Sequence, residues 1–148
     1  MKVLVLLLAF LVIAGSGYAY LQSQQLNQAP LSTVLSSDKQ DIVKTSQKFM
    51  EDLKYKDFKA AAKYSLPDQQ ATLDMPALIE RLFQVKPEFL DIQKYTVTAT
   101  DQSGDRARVH LNAHLKILNT DELRVPEIIL YYKKKNQQWY MDFASSIK

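Results

Sequence analysis

Two histidines, His110 and His114, stand four residues apart and invite a metal reading, because imidazoles at that spacing on a helix share one side. The residues around them alternate, however. Val109, Leu111, Ala113, Leu115 and Ile117 interleave with Arg108, His110, Asn112, His114 and Lys116, and strict alternation predicts a strand. Four residues at ~3.3 Å each put the two rings about 13 Å apart, too far to share a zinc ion held at ~2.1 Å. Both histidines therefore read as polar positions on the outward or pocket-facing side of a sheet. No metal and no other cofactor is expected.

Other chemistry is narrowed by what the composition lacks. With no Cys there is no thiolate nucleophile, no disulfide framework, no Cys-based metal site and no lipid attachment point. Three Gly cannot make a phosphate-cradling loop, and no Gly-x-Ser-x-Gly occurs after the first segment. The net charge of +3 is too mild for the clustered basic face that nucleic acid requires. The rings of Tyr55, Phe58, Tyr64, Phe83, Phe89, Tyr95 and Trp139 fit a core, and alternatively a pocket for a small apolar ligand. Lys133, Lys134 and Lys135 read as a solvated hairpin tip whose charge discourages strand pairing. Their alternative is a contact with anionic headgroups or an acidic partner.

These residues need elements to position them. At 47% hydrophobic and 24% charged the chain is globular. Ser37 to Gln40 forms a capping-box pattern, with Ser37 as N-cap, and Ile42, Ser46, Phe49, Met50 and Leu53 follow on one helical stripe. Asp57 caps a short second helix, Phe58 to Tyr64, which Pro67 stops. Asp74 caps a third, with Pro76 in its first turn, a buried side of Leu78, Ile79, Leu82 and Phe83, and Pro87 as its end. From Ile92 the period becomes two. Tyr95, Val97 and Ala99 alternate with Thr96, Thr98 and Thr100, and a turn at 102–105 leads into the strand that carries the histidines. A loop, Asn119 to Pro126, precedes two further strands, Glu127 to Lys134 and Gln138 to Ala144. The pattern predicts an α+β domain, helices packed on one face of a curved antiparallel sheet of about four strands.

The stretch from Phe49 through Leu53, Lys56-Asp57-Phe58 and Ala61 to Tyr64 resembles the opening of nuclear-transport-factor-2-like domains. The close, Tyr131-Tyr132-Lys133 followed by Gln138-Trp139-Tyr140-Met141-Asp142, is similar to their final hairpin, and the resemblance spans roughly 36–143. It implies a cone of helices wrapped by a curved sheet, often dimeric, often with a central pocket. The family includes isomerases and dehydratases, ligand binders, and non-catalytic envelope proteins such as the single-span periplasmic assembly subunits of type IV secretion systems. Its isomerases use a carboxylate base and a tyrosine oxyanion donor, which points at Asp142 and Tyr140. Those two share the solvated face of the last strand, opposite Trp139, Met141 and Phe143, so no catalytic residue is assigned.

The N-terminal segment sets the expected location. Residues 3–21 carry no charge, and Lys2 precedes them. As a helix they reach about 28 Å, which just spans a hydrocarbon core of ~30 Å. Residues 1–21 are thus a signal anchor, or a signal peptide cut near Ala19. Residues 22–36 form a polar tether and 37–148 the domain. Either way the domain lies on the exported, periplasmic side, at the inner membrane or free after cleavage. The expected function is that of a non-catalytic scaffold or accessory subunit of an envelope complex, whose partners are other envelope proteins or a second copy. The alternatives are a soluble apolar-ligand binder using Tyr55, Phe58, Tyr64, Phe83, Tyr95 and Trp139, and an isomerase-like enzyme. The partner surface is placed on the outward band of Arg108, His110, Asn112 and His114, beside Thr98 of the preceding strand.

Overall fold

Helix α1, Ser37–Lys54, opens the domain, and its period brings Ile42, Ser46, Phe49, Met50 and Leu53 to one buried stripe. The computed structural model describes residues 36–146, so the apolar segment 1–21 and the tether up to Leu35 lie outside the described residues. Among the described residues no helix is long and apolar enough to cross a membrane. The cap of α1 is Ser36 rather than Ser37. Its hydroxyl accepts from the Lys39 amide at 3.4 Å, which starts the helix one residue earlier than the capping box predicts.

Helix α2, Phe58–Ala62, is capped by Asp57 as expected, at 3.0 Å from the Ala60 amide. Pro67 does not merely stop it. It also opens a short helix α3, Pro67–Gln70, where its missing N–H costs nothing. Helix α4, Met75–Phe83, is capped by Asp74, whose carboxylate accepts from the Ala77 amide at 3.1 Å. It ends before Pro87, because Gln84 turns left-handed at φ 55°. Pro87–Phe89 is a single 3₁₀ turn instead.

Five strands follow: β1 Leu90–Ser103, β2 Arg106–Ile117, β3 Glu122–Arg124, β4 Glu127–Lys135 and β5 Gln138–Met141. They form one curled antiparallel sheet in the order β1-β2-β4-β5, with β3 beside the second half of β2. The extra strand β3 falls within the segment 119–126 that reads as loop. The turns follow backbone chemistry. Gly104, at φ 59°, closes β1 onto β2, and Asn136 and Gln137, at φ 51° and 64°, join β4 to β5 as a two-residue hairpin. Helix α5, Phe143–Ser146, ends the described chain.

The alternation of β2 is realised fully. Ala107, Val109, Leu111, Ala113, Leu115 and Ile117 are all buried, as are Ile128, Leu130 and Tyr132 of β4. This face meets α1, whose Phe49 stacks on Phe143 at 5.3 Å and meets Tyr64 edge-on at 6.4 Å. The free edge of β5 is covered by the chain at 64–66. The Met141 amide donates to the Tyr64 carbonyl at 2.8 Å, and the Leu66 amide donates to the Met141 carbonyl at 3.2 Å.

Candidate functional site

On the outer face of the sheet every side chain of β2 and β4 is exposed or half-buried, because period two leaves no fully buried residue there. Across this face the cross-strand register sets Arg108 opposite Asp101, Asn112 opposite Thr96, and His114 opposite Lys94. The guanidinium of Arg108 reaches the Asp101 carboxylate at 3.1 Å. His110 lies between two carboxylates, with Nδ1 3.0 Å from Glu127 and Nε2 3.7 Å from Asp101. The ring thus ties β1, β2 and β4 together, and its side chain is only 22% exposed. His114 makes no such link and points into solvent.

Of the predicted band, then, Arg108, His110, Asn112 and His114 share one face of β2, and Thr98 sits beside His110 at an irregularity of β1. The β1–β2 register slips between Ile92 and Lys94 and again between Val97 and Ala99. Each slip is a bulge that reverses the facing of the strand residues beyond it. Thr98 is the residue left over at the second, with its hydroxyl donating to the His110 carbonyl at 3.2 Å. Thr100 pairs with Val109 and so turns to the core side, while Thr96 stays on the band.

The aromatic set does not converge on one cavity. Tyr55 is 71% exposed, and Phe83 is buried in the core. Phe58, Tyr64, Tyr95 and Trp139 pack against the core's margin. Clefts of about 420, 380 and 690 Å³ are lined by other residues. The Tyr95 hydroxyl donates to Glu51 of α1 at 2.7 Å. Burial first, and then the Glu51 carboxylate, push its pKa up to about 12.

Asp142 falls just past the last strand instead of within it. Its carboxylate accepts from the Ser145 hydroxyl at 2.8 Å and from the Ser145 amide at 3.4 Å, so it caps the turn into α5. The Tyr140 hydroxyl donates to Gln138 at 2.9 Å and not to Asp142. Lys134 also leaves the expected hairpin tip. Its ammonium bonds Asp38 of α1 at 2.8 Å and lies 5.5 Å from the Trp139 ring centre. The hydrogen bond from Lys134 is the main reason that the Asp38 carboxyl sits below its usual pKa.

A feature the sequence pattern does not announce lies at the β3 end of the outer face. Leu118, Leu123 and Val125 are 49%, 70% and 55% exposed. Leu123 pairs with Lys116, and the same register sets Val125 beside His114. The signal was a set of apolar residues in a segment otherwise read as loop.

No family model matches the chain, and no curated protein does either. Among solved structures it is similar to a SEC-C motif containing protein from Rhodopseudomonas palustris, at a TM-score of 0.52 and 16% identity, over 66% of this chain and 72% of that one. That likeness shows the fold alone. A nuclear-transport-factor-2-like transpeptidase from Campylobacter jejuni aligns at a TM-score of 0.40 and 18% identity, over 71% of this chain and 97% of that one, a score too low to carry an argument.

Proposed function

We propose that this chain is a nuclear-transport-factor-2-like domain that works by holding another protein, as a scaffold or accessory subunit. In this reading residues 1–21 place it at a membrane, cleaved or retained, with the domain on the exported side. The observation that carries the reading is the exposed apolar patch of Leu118, Leu123 and Val125 beside His114. It moves the centre of the docking surface from His110, which the sheet's own carboxylates occupy, toward His114 and the β3 edge.

The partner that suits this edge is a second copy of the chain. Strand β3 reads Glu122-Leu123-Arg124 and, among the described strands, pairs only with β2. Two such edges meeting antiparallel about Leu123 would set Glu122 of each copy against Arg124 of the other, the favourable cross-strand charge pairing. Within one chain Glu122 and Arg124 bond each other at 2.8 Å along the strand. Sedimentation of the full chain in mild detergent tests the reading. Wild type should sediment as a dimer, and Leu123→Asp and His114→Glu as monomers with unchanged circular dichroism. A monomeric wild type, or variants that associate as strongly as wild type, would overturn it.

A further inference from the structure

The opposite end of the same sheet holds a different kind of surface. Where β2 begins and β4 ends, a cleft of about 420 Å³ opens, lined by Arg106, Arg108, Lys133, Tyr131, Asp101 and Asp142 among others. A second hollow of about 690 Å³ shares Arg106, Tyr131 and Ser145 with it and adds Arg81. Arg106 and Lys133 are direct partners in the β2–β4 register. Two cations set directly opposite one another are destabilising, where an opposite-charge pair would be favourable.

The cleft's hydrogen-bonding groups divide unevenly. Its carboxylates are occupied within the protein, Asp101 by Arg108 at 3.1 Å and Asp142 by the Ser145 hydroxyl at 2.8 Å. Among the described residues the side chains of Arg106 and Lys133 and the phenol of Tyr131 have no hydrogen-bond or ion-pair partner, and neither does Arg81 next door. The cleft therefore sets Arg106, Arg108 and Lys133 against Asp101 and Asp142, with Arg106 and Lys133 free to take a further anion. A guanidinium fork and an ammonium on adjacent strands are the means by which proteins grip phosphate and carboxylate oxygens.

We propose that this cleft binds the oxyanion head group, phosphate or carboxylate, of a small ligand, with Arg106 and Lys133 closing on it from adjacent strands. The ligand's remainder lies over Tyr131 toward Arg81, and the cleft's volume suits a molecule of metabolite size. Calorimetric titration of the full chain in mild detergent tests the site, with sodium phosphate in one arm and sodium citrate in the other, at an ionic strength fixed with chloride. Saturable binding of at least one anion is expected. It should weaken about tenfold or more in Arg106→Gln and in Lys133→Gln, as the loss of a charge-assisted hydrogen bond requires. Lys94→Gln, which removes a cation from the far end of the same face, should leave it unchanged. Tighter binding of phosphate assigns a phosphate ester, and tighter binding of citrate assigns a carboxylate. No saturable binding in either arm, or equal affinity in wild type and Arg106→Gln, overturns the proposal.

Discussion

The Tyr132 hydroxyl of β4 lies 2.6 Å from the Ser46 hydroxyl of α1, in a part of the core where both residues are at most 2% exposed. Ser46 has one proton, and it goes to the Ile42 carbonyl at 2.9 Å. Tyr132 is therefore the donor in the pair, and burial holds its pKa well above the usual tyrosine range. With the Tyr95–Glu51 and Lys134–Asp38 bonds, this buried polar contact helps to fix how the helix sits across the sheet.

A double-mutant cycle measures that contact. Ser46→Ala should cost about 1–3 kcal/mol, because it strands the buried Tyr132 hydroxyl, and Tyr132→Phe should cost less, because the Ser46 hydroxyl keeps its bond to the Ile42 carbonyl. The double variant should lose little more than either single one, since no orphan remains. Urea denaturation of the four proteins reads the result, and simple additivity would show that the hydroxyls do not act as a pair.

Stability should fall in acid partly through Asp38. Its carboxyl titrates below the unfolded value of about 3.9 because Lys134 donates to it, so the unfolded chain takes up the proton first. The stabilisation is complete above about pH 5, begins to fall near the unfolded pKa and is lost as pH falls through the folded pKa. Asp38→Asn should be less stable than wild type at pH 7 and show a flatter loss below about pH 4 in thermal melts at graded pH. Parallel curves for the two proteins would remove Asp38 from the account.

At the β4–β5 turn, Gln137 holds φ 64° with a side chain that disfavours it. Gln137→Gly produces an Asn-Gly pair suited to this two-residue hairpin and should raise the unfolding free energy by about 0.5–1 kcal/mol. A lower urea midpoint would mean that Gln137 has a stabilising role its backbone does not reveal.

The two faces of β2 should respond oppositely to charge. Leu111→Asp puts an unpaired carboxylate into a fully buried site and should abolish the cooperative thermal transition. His114→Glu, three residues on and exposed, should shift the unfolding free energy by no more than about 0.5 kcal/mol. Circular dichroism melts of both variants decide it.

The strand β2 was legible because one of its faces is wholly buried, and a buried face forces period two on the sequence. The α1 stripe was legible for the same reason, down to Ser46, whose polarity is explained only by Tyr132 86 residues away. Thr100 turns to the core side although plain alternation sets it outward, because a bulge needs no Gly or Pro to announce it, and the residues around both register slips are ordinary ones. Pro67 misled because proline both ends one helix and begins the next. Strand β3 is three residues long, too short to show a period. At the candidate sites, the meeting of Arg106 with Lys133 depends on long-range register, as does that of His110 with Glu127. Spacing along the chain carries no trace of either.

The covered edge of β5 also bears on when the domain can close. Phe143 supplies the ring that stacks on Phe49, and Met141 exchanges backbone hydrogen bonds with the chain at 64–66. Both belong to the last segment of the described chain to be synthesised. Until they arrive, α1 and the β1–β2 hairpin can form, but the aromatic side of α1 has no lid and stays exposed to other sticky surfaces. A nascent chain therefore has a long vulnerable interval, spent with the apolar stripe of α1 open, and any chaperone that shields it has Phe49 and its neighbours to hold.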